Sequence, residues 1–384
     1  MRFAITNGPV LCDGRMLEGR AVVVADGRIE AIVPTADLDV AIDTVDLAGA
    51  MLAPGFIDVQ VNGGGGALFN DDPSVETLRT IAAAHHRFGT TALLPTLISD
   101  SIPKIREAVQ AVDAAIAAGV PGIGGIHIEG PFLNVDRKGT HDPKAIRKLD
   151  DEGFAAITGL RRGRTLVTLA PEVTDEQRVR QLRQCGVVVS AGHTDATFAQ
   201  MERAFAAGVT GVTHLFNAMS QITPREPGVV GAALADRQCW CGIIVDGFHV
   251  DPVALRLAIN AKGGLDRFLL VSDAMPPVGH DRKEFELNGE IIFASGGVCR
   301  RADGTLAGAD LEMASAVRNA STLLGLTTED AIALATRNPA RFIGLDTEMG
   351  SIAPALRANL VALDEAGRVM RTWIDGNMVF ADAR

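Results

Sequence analysis

Residues 54–66 read PGFIDVQVNGGGG, and the choice of fold starts from this stretch. A Pro54-Gly55 turn leads into alternating residues. Alternation places Ile57, Val59 and Val61 on one face and Asp58, Gln60 and Asn62 on the other. Glycines 63–66 close the run. They would let a ligand approach the backbone, or serve only as a flexible turn.

Downstream, the pattern becomes strand, loop, helix, repeated. Apolar strand candidates are 53–61, 90–97, 122–129, 164–170, 186–191, 209–215, 241–246 and 267–273. Helical patterns such as SVETLRTIAAAHHRF and TDEQRVRQLRQC separate most of them. Eight alternating β and α units predict an α/β chain built as a (β/α)8 TIM-like barrel. LEMASAVRNASTLLG and TTEDAIALATRNPARFIG follow as closing helices, the second with a Thr-x-x-Asp capping pattern at Thr327. Upstream, RAVVVADGRIEAIVP reads as a hairpin about Asp26-Gly27, and the C-terminus carries strand-like runs broken at Ala366-Gly367 and Asp375-Gly376. Neither end holds enough strand for a stable sheet. The two ends are expected to combine into one small β-sandwich domain, 1–52 with 349–384, around a catalytic barrel at 53–348.

The chain has 384 residues, 47% hydrophobic and 22% charged, enough for a large core. Its 36 basic and 47 acidic residues give a net charge of -11. That argues against nucleic acid or an anionic membrane as partner, though a few local cations suffice for one small anion. Five scattered cysteines suit reduced thiols in a cytoplasm better than a disulfide framework. Cys239-x-Cys241 lacks the second pair that a zinc knuckle needs. The first residues show no signal-peptide core, and no run nears the roughly 20 apolar residues of a membrane span.

In a barrel, chemistry sits at the C-terminal strand tips. Strand three ends HIEG, with His127 and Glu129 on the inward face; strand five brings His193, strand six His214 and then Asn217, strand eight Asp273. A lone histidine at a strand end is more often a hydrogen-bonded structural residue. One glutamate and two histidines from three strands, with an aspartate at a fourth, are harder to explain that way. Glu129, His193 and His214 make a ligand set for Zn2+ that leaves a position for water. Asp273 is the candidate general base. His141, after strand three, and His249, after strand seven, are placed to touch a substrate. Arg225, after strand six, suits phosphate or carboxylate recognition or is merely solvated. His85 and His86 read as structural, and His280 as a loop residue.

Together with the opening stretch, GIHIEGPFL, KGTHDP, AGHTDAT, THLFNAMS, REPGVVG, DGFHVD and VSDAMPP resemble the family of N-acetylglucosamine-6-phosphate deacetylases, within the amidohydrolase superfamily. The likeness spans essentially the whole chain. It implies hydrolysis of the acetamide of N-acetyl-D-glucosamine 6-phosphate by an activated water, to glucosamine 6-phosphate and acetate. Glu129, His193 and His214 would hold one divalent metal, Zn2+ first, with Fe2+, Co2+ or Mn2+ able to take the same donors. Asp273 would be the general base and acid, and His141 would polarise the acetyl carbonyl. Asn217 and Ala218 would contact substrate; Arg225 and His249 would bind the phosphate. A homodimer is implied, with the phosphate site at its interface. Family members with His-x-His on the first strand resemble two-metal enzymes; Gln60-x-Asn62 resembles the single-metal kind. Cyclic amidases of the superfamily commonly use His-x-His and a carboxylated lysine, which this chain lacks. Loss of the catalytic aspartate or ligands, as in a non-catalytic scaffold, is not seen either. A deacetylase of N-acetylgalactosamine 6-phosphate, whose sugar differs only in the orientation of one hydroxyl, is the alternative within the family.

Overall fold

The alternating run after Pro54-Gly55 forms the first of eight parallel strands. The structure, a computed structural model, describes residues 2–382. The strands are β1 (Phe56–Val61), β2 (Thr90–Ile98), β3 (Gly125–Glu129), β4 (Arg164–Leu169), β5 (Val188–Ala191), β6 (Gly211–Val212), β7 (Trp240–Ile243) and β8 (Phe268–Leu270). Each pairs with its sequence neighbour in one ladder. The two ends of the ladder meet through a parallel bridge between Val61 and Ala274. Asp58 strengthens that closure by accepting from the Ser272 hydroxyl and, at 3.3 Å, from the Ser272 backbone N–H. All six residues of β1 are buried. The polar face of the alternation therefore points into the barrel, not to solvent, as parallel sheets covered on both sides require.

Helices pack outside the strands. Val75–His86 starts at Ser74, whose side chain accepts from the Thr77 N–H. His85, fully buried on this helix, bonds the Gly63 carbonyl at 3.0 Å through Nε2 and so braces the glycine run. Thr327 caps the helix Thr328–Ala335 as its sequence suggests. The long apolar stretch it opens is two helices, not one: a second runs Arg337–Ile343 after a break at Thr336. Pro339 explains the break, because its missing N–H cannot continue the ladder of the first helix.

The two chain ends build two further sheets. A four-stranded sheet holds Arg2–Thr6, Arg20–Ala25, Arg28–Pro34 and Thr44–Asp46. Asp26 and Gly27 both take positive φ, +49° and +80°, at the hairpin turn. A six-stranded sheet interleaves the ends: Met51–Pro54 lies antiparallel to Leu360–Leu363, with Ala53 opposite Val361. The two sheets share a core that includes Phe3, Ile5 and Val22 from one and Leu52, Leu360 and Trp373 from the other.

The segment 275–305, whose run EFELNGEIIFASGGVCRRADGTLAG reads as one hairpin over the barrel mouth, contributes three strands to a four-stranded antiparallel sheet that ends just beyond it. Its strands are Glu284–Leu287, Glu290–Ser295, Val298–Arg300 and Leu306–Ala309. The last two are too short to carry a period, so the sequence does not announce them. Phe285, Leu287 and Ile292 pack beneath with Met275 and Cys299. At the sheet tip, Asn288 donates to the Thr140 carbonyl at 2.9 Å. No helix among the described residues is long and apolar enough to cross a membrane.

Candidate metal centre and substrate cavity

Glu129 ends β3. His193 and His214 stand two residues past β5 and β6, and Asp273 three past β8. These last three take positive φ, +48°, +36° and +51°. Such backbone is uncommon outside glycine and gathers at functional sites. Here it turns each chain sharply off its strand at the barrel mouth.

The donors converge. His193 Nε2 and His214 Nε2 are 3.1 Å apart. Glu129 Oε1 lies 3.0 Å from His214 Nε2 and 3.3 Å from His193 Nε2. Metal bonds of about 2.0 Å in a tetrahedron put donors about 3.3 Å apart, so the three residues fit a small divalent ion. Second partners fix their presentation. His193 donates Nδ1–H to the Arg137 carbonyl at 2.8 Å, which leaves the Nε2 lone pair facing its partners. Below them, buried His127 bonds Thr96 and Thr168 at 3.2 and 2.8 Å. Burial pushes its pKa down to about 4, so it stays neutral.

Electrostatics follow from burial and neighbours. Burial alone would raise Glu129, but the His193 and His214 imidazoles against it hold it well below the usual carboxylate range. Burial likewise opposes a charge on His214, and the Glu129 carboxylate outweighs it, raising its pKa. Asp273 is raised, first by burial and then by the Glu129 charge. A carboxylate shifted toward neutrality is a better-matched proton acceptor at working pH.

The first strand fills the space between these carboxylates. Gln60 Nε2 lies 3.3 and 3.4 Å from the two Glu129 oxygens and 3.2 Å from Asp273 Oδ1. Asn62 Nδ2 donates to the same Asp273 oxygen. Both amides act as hydrogen-bond donors to carboxylates, where the sequence reads them only as the mark of a single-metal site.

A cavity of about 310 Å³ opens above the donors. It is lined by Glu129, His193, His214 and Asp273, and also by His141, Asn217, Ala218 and His249. His141 is buried and pushed down to about 3 by burial, with His193 beside it adding to the effect. His249 donates Nδ1–H to Asp246 Oδ2 at 2.6 Å. Asn217 uses its amide N–H on the His214 and Leu215 carbonyls, which leaves its Oδ1 toward other partners. The four-stranded sheet roofs the cavity with Leu287 and residues 305–308. Arg225 is exposed and does not line this cavity.

Sequence reasoning passes over two residues that hold the site. Asp246, a polar residue closing the apolar run of strand seven, orients His249. Ser99, closing that of strand two, contacts His141 Nδ1 at 2.7 Å. A polar residue directly after an apolar run was the available signal for both.

Comparisons with known proteins agree with this architecture. Residues 51–379 match the amidohydrolase family, and residues 2–52 match the NagA composite domain. An N-acetylgalactosamine-6-phosphate deacetylase of Shewanella sp. (strain ANA-3) is 42% identical, over 97% of this chain and 94% of its own. An N-acetylglucosamine-6-phosphate deacetylase of Haemophilus influenzae is 35% identical, over 98% and 99%. The crystal structure of N-acetylglucosamine-6-phosphate deacetylase from Pasteurella multocida superposes with a TM-score of 0.95 at 35% identity, covering 100% of both chains.

Proposed function

The chain belongs to the amidohydrolase family, and from that premise we propose that it hydrolyses the acetamide of N-acetyl-D-glucosamine 6-phosphate to D-glucosamine 6-phosphate and acetate. The observation that carries the reading is the meeting of Glu129, His193 and His214 with Asp273 and His141 at one cavity. One divalent ion, Zn2+ first, held by the former three would supply Lewis acidity, lowering the pKa of a water toward neutral and drawing charge from a carbonyl oxygen. Asp273 takes a proton from the attacking water and returns it to the sugar nitrogen as the C–N bond breaks. His141 stabilises the negative charge that develops on the acetyl oxygen. Asn217 and Ala218 contact the sugar.

His249 and Arg225 bind the phosphate. His249 lines the cavity and Arg225 does not, which supports a homodimer in which Arg225 of one copy serves the cavity of the other. Ile222, at 57% exposed, and Phe248, at 48%, offer apolar surface from the same two loops for such a contact. The five cysteines are free thiols, in keeping with a cytoplasmic setting.

A second reading, the C4 epimer N-acetyl-D-galactosamine 6-phosphate, is favoured by the 42% identity to a deacetylase of that sugar. Acetate release from both phosphorylated epimers and from both unphosphorylated sugars tests the proposal. A higher kcat/KM for the glucosamine derivative, and little turnover without phosphate, is the expected result. Preference for the epimer moves the assignment to the second reading, and no release from any of the four ends both.

A further inference from the structure

The imidazole read as polarising the carbonyl is itself held by Ser99, the buried residue that follows β2. The Ser99 backbone N–H points at His141 Nδ1 from 3.2 Å. Its Oγ lies 2.7 Å from the same nitrogen. A backbone N–H can only donate, so Nδ1 must accept. A neutral imidazole carries one proton, and with Nδ1 accepting it sits on Nε2. The other tautomer would set an Nδ1–H against the Ser99 N–H, donor to donor. His141 lines the cavity, and its Nε2 has no hydrogen-bond partner among the described residues.

The neighbouring ring is set the opposite way. His193 lies edge-on to His141, with ring centroids 4.4 Å apart. Its Nδ1 faces the Arg137 carbonyl, an acceptor, and so carries the proton. Backbone groups thus give two touching imidazoles opposite tautomers: one presents a lone pair, the other an N–H. Space for the Ser99 hydroxyl is kept by Gly130, where an added Cβ would come within 2.3 Å of Oγ.

We propose that Ser99 is a positioning residue that fixes His141 as an Nε2–H donor toward the acetyl oxygen of the substrate. A charge developing on that oxygen is stabilised by a donor and repelled by a lone pair, so the tautomer decides whether His141 helps or hinders. The proposal rests on the carbonyl-polarising reading of His141.

The test uses zinc-loaded protein with 15N-labelled histidine. Imidazole nitrogens are read by NMR, with His141 assigned by the signals lost in His141→Asn. The expected spectrum has His141 Nδ1 unprotonated and Nε2 protonated. Ser99→Ala keeps the N–H and removes the shorter contact; Nδ1 is expected to stay unprotonated, and kcat to fall about tenfold with KM within about twofold as the ring loses one of its two anchors. Ser99→Thr, which retains a hydroxyl, is expected to restore kcat to within about threefold. A protonated Nδ1 in the wild type overturns the proposal, as does a Ser99→Ala enzyme with unchanged kcat. The wild-type spectrum decides alone if the alanine variant does not fold. Near-normal kcat in His141→Asn instead overturns the underlying reading, and is told apart because the tautomer is read without turnover.

Discussion

Asn62 Nδ2 donates to Asp273 Oδ1 at 2.7 Å, across the seam where the first barrel strand meets the last. With Gln60 it places neutral donors between Glu129 and Asp273, two carboxylates that would otherwise repel. The Asn62 hydrogen bond lowers the Asp273 pKa, against burial and the Glu129 charge that raise it. Removing the donor therefore leaves Asp273 protonated to higher pH. Asn62→Leu should move the acid limb of kcat/KM up by about one unit, the size expected for a lost hydrogen bond to a charged group. A pH–rate profile checks it; a limb that stays in place or moves down contradicts the role given to Asn62.

Asp273→Asn should keep the metal and lose the chemistry. The general acid–base contribution is about 10²- to 10⁴-fold in kcat. The variant is expected to purify with as much metal as the wild type. Metal analysis beside steady-state kinetics separates the two effects. A variant that loses its metal would make Asp273 a ligand first.

Metal removal should act on activity and stability together. An ion that binds only the native state stabilises it by about 2.7 kcal/mol at a hundredfold excess over Kd. Chelation is expected to abolish acetate release and lower Tm, and Zn2+ at one equivalent per chain to restore both. Uptake of two equivalents would mean that Gln60 and Asn62 do not prevent a second site.

Arg225 can be tested in mixed dimers. If it serves the opposite cavity, Arg225→Ala and Asp273→Asn are each inactive alone. Coexpressed, they form dimers in which one cavity has both an intact Asp273 and an intact Arg225. Recovered activity in the purified mixed dimer is expected. No recovery, from dimers verified by mass, would place Arg225 in its own chain's chemistry or outside it.

Asp58 gives a prediction about stability. It is fully buried and pushed up to about 7, mainly by burial, in spite of its bonds from Ser272 and Gln60. Its pKa is thus higher folded than unfolded, so the native state binds more protons between about pH 4 and 7. Stability from this group is present below that window and is lost as pH rises through it, by up to about 4 kcal/mol. Asp58→Asn removes the titration. The difference between wild type and variant in urea unfolding should shift in favour of the variant as pH climbs from 4 to 7. A constant difference would mean that Asp58 does not titrate in this range.

The eight strands were legible because each lies in a longer apolar run, even where, as at Gly211–Val212, only two residues pair, and because helical periods separate most of the runs. The residues at the strand tips were legible for the same reason: Glu129, His193, His214 and Asp273 each end such a run. Less could be read where the signal is short or non-local. The roof sheet was hidden because Val298–Arg300 and Leu306–Ala309 are too brief to show alternation. The split at Thr336 was marked by Pro339, but the apolar pattern runs on through it.

By itself the sequence determined the order of the strands and which donors and acids stand at their tips, because side-chain chemistry and period two are local properties. Only the tertiary structure decided what those groups do to one another. Gln60 and Asp273 are 213 residues apart and meet because the barrel closes. The opposite tautomers of His141 and His193 depend on which backbone group, an N–H or a carbonyl, comes to face each ring. No alternation or spacing encodes that, because it is set by contacts between strands that the chain brings together only on folding.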